Sequence, residues 1–184
     1  MDATNEVKDQ MDDEFDSNEN DDAQKGKYMT FRSGNEYFGL KIQYLNEIIQ
    51  YQTITEIPET ESYIKGLINL RGKVIPVIDV QLRFNQEPFE YNDRTCIIVI
   101  NVNSTVVGLI VQEIAEVVEI RDENILPPPA AGRAANAHHK YVYGIGKVDN
   151  AVKLLLDPDK LINDEELSAM DQSNEMKIVE ERED

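Results

Sequence analysis

The stretch IPETESYIKGLINLRGKVIPVIDV, residues Ile57 to Val80, decides the reading of this 184-residue chain. It reads as two apolar strands, Tyr63 to Leu70 and Lys73 to Val80, joined at Arg71-Gly72, where glycine supplies the backbone freedom of a tight reversal. Ile64, Leu67, Ile68 and Leu70 on one arm face Val74, Ile75, Val77, Ile78 and Val80 on the other. An exposed hairpin does not carry that much apolar surface, so the pair belongs at the centre of a β-rich core. Pro76 has no N–H to give a ladder and is expected at an edge or a bulge.

Upstream, Tyr28 to Arg32 and Glu36 to Leu40 form a hairpin through Ser33-Gly34-Asn35. Ile42 and Leu45 share a face of a helical turn, and Glu47 to Tyr51 is extended again. A polar connection, Thr53 to Glu61, leads into the central hairpin; Leu82 and Phe84 close the first half, and Asn85 to Asp93 is a polar link. Downstream, Arg94 to Asn101 and Val106 to Val111 pair across Val102-Asn103-Ser104-Thr105. Ile114, Val117, Val118 and Ile120 have a mixed period that fits helix and strand alike. Pro127-Pro128-Pro129 stiffens the chain before a small-residue surface loop, Ala130 to His139. Tyr141 to Lys147 and Val152 to Leu156 form a hairpin across Asp149-Asn150. Asp157-Pro158 then caps a short helix through Ile162, and Asn163 starts a last helix to about Met170. Short strands with turn signals between them predict an all-β architecture of two small barrels with few, peripheral helices. The two halves look alike in plan, with no fixed-period repeat.

Charge divides the chain. Residues 1–26 hold ten acids and two bases, residues 164–184 nine acids and two bases, and the 137 residues between them carry −3 of the net −18. Acidic, aromatic-poor ends read as solvated tails flanking a folded middle, with solubility as their plainest role. The domain plan is therefore an acidic disordered tail over 1–26, a folded unit over 27–163, and an acidic helix and tail over 164–184. The single cysteine, Cys96 in the run CIIVI, excludes an intrachain disulfide and reads as a buried small hydrophobe rather than a nucleophile. The acidic start lacks a secretory signal, and no apolar run approaches the ~20 residues that span a bilayer. A cytoplasmic protein without direct membrane insertion is expected.

Signs of chemistry are sparse. His138-His139 sits in the alanine-rich loop without a carboxylate or cysteine cluster to complete a metal shell. Gly144-Ile145-Gly146 lacks the third glycine and the strand-to-helix setting of a dinucleotide loop, and reads as close strand packing. No P-loop, G-x-S-x-G or kinase signature occurs, and the carboxylates lie mainly in the tails, where nothing raises a pKa for acid catalysis. The middle lacks a basic stripe and the tails repel phosphate, so nucleic acid is not an expected partner. These residues predict no enzyme, no cofactor and no metal.

The run YIKGLINLRGKVIPVIDV resembles the signature of CheW-like domains, a G-x-x-N-L-R-G turn before an apolar strand ending in P-V-I-D; here the elements are Gly66, Asn69, Leu70, Arg71, Gly72, Pro76 and Asp79. EYFGLKIQYLNEII is similar to the family's early strand and turn, TCIIVINVNSTVVGLIVQEIAEV to its second half, and YVYGIGKVDNAVKLLLDPDKLI to its closing hairpin and helix. The resemblance runs from about Lys27 to Met170 and departs from the family at Ala130–His139. It implies two five-stranded SH3-like β-barrels around a common hydrophobic core. It further implies an adaptor of bacterial chemotaxis that links methyl-accepting receptors to the histidine kinase CheA. The alternative is a CheV-like or CheA-derived fragment in another two-component pathway; the chain is too short for a kinase or receiver domain beside this one, which favours the stand-alone adaptor.

A receptor tip is a helical bundle, and such a partner needs an apolar groove with a polar rim. By resemblance, Leu45, Glu47, Gly66, Arg71, Ile114 and Val117 receive that tip, while Lys65, Val74, Asp93, Thr95 and Ile97 face the kinase's homologous barrel. Ile114 and Val117 fit core packing as well as groove lining, and Val74 and Ile97 fit ordinary strand packing as well. For Arg71 an interface role is preferred to a solvated turn charge, because a guanidinium pairs directionally with a carboxylate.

Overall fold

The computed structural model describes residues 22–128 and 140–162. The tail over residues 1–21, the whole Ala130–His139 loop with its histidine pair, and the helix expected from Asn163 to Met170 lie outside the described residues. Residues 22–24 make one helical turn, and Ile120 N–H donates to Gly26 O at 2.8 Å, so residues just before Lys27 also contact the fold.

Eleven strands are described: β1 (Lys27–Ser33), β2 (Glu36–Lys41), β3 (Leu45–Gln50), β4 (Ile64–Leu70), β5 (Lys73–Asp79), β6 (Cys96–Val102), β7 (Thr105–Val111), β8 (Glu113–Glu119), β9 (Ile125–Leu126), β10 (Val142–Val148) and β11 (Ala151–Leu156). The chain is all-β, as its turn spacing predicts. The segment with mixed periodicity is strand β8, and the turn at Ile42–Tyr44 is a 3-10 helix. The expected strand ending at Val80 stops at Asp79 instead. Asp79 Oδ1 accepts the Leu82 N–H at 3.1 Å and starts a short helix, Val80–Arg83.

The strands form two sheets, ordered β3-β6-β7-β5-β4 and β8-β1-β2-β11-β10-β9. They are not the sequential halves that the chain order suggested. The first sheet is continuous in sequence from β3 to β7, whereas the second joins the N-terminal hairpin to the C-terminal strands. It is closed by a parallel pairing of β2 with β11, Phe38 to Leu154 and Gly39 to Leu155.

The two sheets are built alike, and the match extends to single residues. Val77 pairs with Gly108 across β5 and β7, as Leu155 pairs with Gly39 across β11 and β2. A bulge interrupts β4 between Ile64 and Gly66, and β10 carries its counterpart between Val142 and Gly144. Asp79 N–H donates to Tyr63 O at 2.8 Å, and Asp157 N–H to Tyr141 O at 2.8 Å. Each aspartate then caps a short helix, Val80–Arg83 or Pro158–Leu161. Even the outermost strand β9 has a rudimentary counterpart, the bridge of Thr55 to Leu67. A repeat therefore exists where none was read in the sequence. Its second copy begins at β8 and ends with β1 and β2, so the chain termini cut through it and no single period describes it.

The largest apolar cluster joins the sheets. Phe31, Phe38 and Leu40 from one meet Ile98, Ile100 and Leu109 from the other, with Phe84 stacked on Phe38 at 4.7 Å between ring centres. Burying one such side chain contributes about 1.5–3 kcal/mol. A smaller cluster of Ile68, Ile75, Val77, Ile97, Val99 and Ile110 fills the first barrel, and Tyr28, Val118, Ile120 and Leu155 form its reduced counterpart in the second. This is the shared core of two SH3-like subdomains.

Pro76 satisfies its expectation in an unexpected place, because β5 is an inner strand. Leu67, its partner on β4, gives its N–H and C=O to Thr55, both at 2.9 Å. Leu67 and Pro76 thus form a non-hydrogen-bonded pair, and the proline nitrogen faces the side where pairing with β7 starts only at Val77. The missing donor costs no ladder bond.

Candidate functional site: a charge pair and flanking apolar positions on two matched barrels

Arg71 occupies the β4–β5 turn with φ +52, followed by Gly72 at φ +82. Asn69 Oδ1 accepts the Gly72 N–H at 2.9 Å and holds this left-handed reversal. The reversal carries the Arg71 guanidinium back to β3, where Nη1 meets Glu47 Oε1 at 2.7 Å and Nη2 meets Oε2 at 2.5 Å. This fork-to-fork geometry joins two of the six expected receptor positions across 24 residues of sequence. The hydrogen bond from Arg71 holds the Glu47 carboxyl below the usual carboxylate range, and the same bond raises the guanidinium. The Arg71 side chain is otherwise exposed, so it is neither a bare solvated charge nor buried.

On the same strand Leu45 is half-buried against the shared core and pairs with Ile100. Ile114 on β8 pairs with Phe31 and packs on that core too. In the repeat these two are counterparts, as are Ile48 and Val117. Leu45 and Ile114 thus contribute partly to packing, whereas Val117 is 50% exposed and Ile48 36%. Ile48 was missed in sequence. Simple alternation from Leu45 could not find it: the bulge between Leu45 and Glu47 turns Ile48 onto the face of Leu45, where the two pair with Ile98 and Ile100, while Glu47 and Ile49 pair with Val99 and Ile97 on the other face.

Gly66 acts differently from the rest. At φ +140, a Cβ here would lie 2.0 Å from Thr55 O and 2.7 Å from Thr55 C. The residue admits the backbone of Thr55–Glu56 against β4 and offers no side chain to a partner.

The expected kinase-facing positions divide in the same way. Val74 is 37% exposed on β5, and Lys65, in the β4 bulge, places Nζ 5.9 Å from the centre of the Tyr91 ring. Asp93 lies in a shallow depression of about 380 Å³ with Gln50, Tyr51, Tyr91 and Asn92. Thr95 and Ile97 are buried, which corrects any reading of them as contact side chains. Thr95 Oγ1 accepts the Asn92 N–H at 2.9 Å and so shapes the rim of that depression. Ile97 points into the first barrel because β6 is an inner strand between β3 and β7. Tyr91, absent from the sequence expectations, anchors the area: its hydroxyl donates to buried Asp79 Oδ2 at 2.5 Å, and burial pushes its ionisation upward, with the aspartate adding to the shift. Burial likewise raises Cys96.

Among the described residues no group of three or more His, Cys, Asp or Glu is placed to hold a metal ion, and no helix is long and apolar enough to cross a membrane.

Comparison with known proteins fits this frame. The family model for the CheW-like domain matches residues 27–166. The chain belongs to the CheW-like domain family. Chemotaxis protein CheW of Klebsiella aerogenes is 34% identical over 145 residues, covering 79% of this chain and 86% of that protein. A probable chemotaxis protein CheW of Rhizobium etli is 31% identical over 141 residues, covering 77% and 90%. Among solved structures, the scaffolding protein TtCheW from Thermoanaerobacter tengcongensis matches with a TM-score of 0.69 and 34% identity, over 77% of this chain and 96% of that one. The CheW-like match takes in every site position discussed above.

Proposed function

We propose that this chain is a chemotaxis adaptor that couples methyl-accepting receptors to the histidine kinase CheA and performs no chemistry of its own. The relatives named for chemotaxis and the neighbour named as a scaffolding protein support the general role. The observation that carries the finer reading is the exposed, two-pronged Glu47–Arg71 pair on the strand that presents Leu45 and Ile48. A helical receptor tip would lay apolar side chains along Leu45, Ile48, Ile114 and Val117, with the charge pair at the rim. Gly66 supports that face from behind. The kinase's barrel would meet Lys65, Val74 and Asp93, with Thr95 and Ile97 holding their backbone in place. Signal transfer then rests on a difference in contact free energy between the receptor's two states, passed on through the joined barrels.

The test is reconstitution of kinase autophosphorylation from CheA, a receptor cytoplasmic fragment and this protein. Receptor control of the kinase should require the chain, and Arg71→Glu should weaken control while circular dichroism stays unchanged. Equal control with and without the chain would refute the reading.

A further inference from the structure

The link from Asn85 to Asp93 gives the first barrel a feature that the second lacks. Tyr51 N–H donates to Thr95 O at 3.2 Å, as Ile120 N–H donates to Gly26 O at 2.8 Å, so Tyr51 and Ile120 hold equivalent positions after β3 and β8. Ile120 is 1% exposed and packs inside the second barrel, whereas Tyr51 is 37% exposed. The link folds back against Tyr51. The Tyr91 ring lies 4.8 Å from that of Tyr51, Phe89 meets Tyr91 edge-on at 5.0 Å, and the Tyr91 hydroxyl is fixed on buried Asp79. Thr95 Oγ1 accepts the Asn92 N–H and Thr95 N–H donates to Asn92 O, which closes the turn carrying Asp93. The product is the depression of about 380 Å³ lined by Gln50, Tyr51, Tyr91, Asn92, Asp93 and Thr95.

Asp93 is the single formal charge among those lining side chains, and it is negative. Arg94, the next residue, turns instead to Glu113 at 3.5 Å, and among the described residues no ion pair holds the Asp93 carboxylate. Lys65, 5.9 Å from the centre of the Tyr91 ring, does not line the depression. Tyrosine rings, two side-chain amides and an unpaired carboxylate suit a planar cation, because a guanidinium stacks on an aromatic face and donates N–H bonds to carboxylate and amide oxygens. An anion would meet Asp93, and an apolar group would strip water from the carboxylate and the amides without replacing it. We infer, on the adaptor reading, that this depression receives an arginine side chain of the kinase's barrel. The contact falls on the first barrel alone, since Ile120 leaves the second no exposed ring at that position, and it lets the kinase tell two similar barrels apart.

The first arm of the test needs no kinase. The 15N-labelled full chain is titrated with N-acetyl-arginine amide, and in parallel with N-acetyl-citrulline amide, in which an uncharged urea replaces the guanidinium. The arginine probe should shift the backbone amide signals of Tyr51, Asn92 and Asp93, the citrulline probe should not, and Asp93→Asn should abolish the shifts. Equal shifts with both probes, or arginine shifts confined to the acidic ends of the chain, would overturn the inference. The second arm measures binding of CheA by calorimetry. Tyr51→Leu and Asp93→Asn should each weaken it roughly five-fold or more, with binding of a receptor cytoplasmic fragment unchanged. Variants that bind CheA as tightly as the wild type would overturn the inference and leave the adaptor reading standing. A wild-type chain that does not bind CheA at all would defeat the adaptor reading and remove the kinase as the source of the side chain, while the probe arm still decides whether the depression takes a guanidinium.

Discussion

Gly66→Ala separates a residue that acts through the fold from one that touches a partner. The new methyl would meet Thr55 O at 2.0 Å and Glu56 Cα at 3.0 Å, and both are backbone atoms that no rotamer change moves aside. The strand segment at Thr55 must retreat, and with it go the two 2.9 Å bonds that join Thr55 and Leu67. Each bond contributes about 1 kcal/mol net. Holding a non-glycine residue at φ +140 adds about 1–3 kcal/mol of strain. The expected loss is about 4 kcal/mol, equivalent to roughly 8–16 °C in thermal midpoint for a domain of this size. Urea denaturation followed by circular dichroism measures it, with receptor-fragment binding measured on the same preparation below the transition. Binding should weaken only as far as the variant unfolds or loosens around β4. A variant that lost less than about 1 kcal/mol would refute the packing argument. A fully stable variant that failed to bind would make Gly66 a contact position after all.

Tyr91→Phe removes the 2.5 Å bond to buried Asp79 and should cost about 2 kcal/mol in urea denaturation, leaving the helix cap at Leu82 N–H as the hydrogen bond to that carboxylate. Glu47→Gln breaks the charged fork with Arg71. The folded-state pKa of Glu47 is depressed, so whatever stability the pair gives is present above the unfolded carboxylate range and lost as pH falls through the lower folded value. The difference in thermal midpoint between wild type and Glu47→Gln, small because the pair is exposed, should therefore shrink as pH falls below the ordinary glutamate range and vanish once the depressed folded value is passed. Val117→Asp alters a half-exposed side chain and should leave the thermal midpoint nearly unchanged while weakening receptor pull-down. Leu45→Asp should weaken pull-down too but also lower the midpoint, because Leu45 packs on the shared core.

Strand positions were legible in the sequence because alternation and turn chemistry are local. Arg71-Gly72, Asn103-Ser104 and Asp149-Asn150 all mark reversals, and Arg71, Gly72, Asn103, Ser104 and Asp149 adopt positive φ there. Pairing between distant strands was not legible. Nothing near Phe38 announces Leu154 as its neighbour, and the parallel β2–β11 pairing is what makes the N-terminal hairpin part of the second barrel. The repeat escaped for a related reason. Tyr63, Gly66, Val74 and Asp79 match Tyr141, Gly144, Val152 and Asp157 at one spacing, but Gly108 matches Gly39 in the reverse direction at another. Within the candidate site, resemblance pointed to strands but did not distinguish inward from outward side chains. Ile97 and Val74 both belong to apolar strands, and only the sheet order shows that Ile97 is enclosed while Val74 reaches solvent.

An adaptor that transmits a receptor's state needs its two barrels held at a fixed relation, and Arg83 bears on that requirement directly. It ends the short helix of the first barrel, and its Nε donates to the carbonyl of Leu161, the last residue of the matching helix in the second, at 3.0 Å. Its guanidinium lies 4.2 Å from the centre of the Tyr63 ring and 5.2 Å from that of Tyr141, the two tyrosines that correspond in the repeat. One cation thus engages equivalent groups of both barrels, where a perfectly symmetric pair would have to place two. Buried apolar packing between the sheets supplies adhesion but little direction. A planar guanidinium close to two rings and bonded at one edge is directional. The asymmetry of Arg83 against Leu161 therefore gives the joint between the two similar barrels a directional contact, beside the Asn103–Asp159 hydrogen bond that also crosses it.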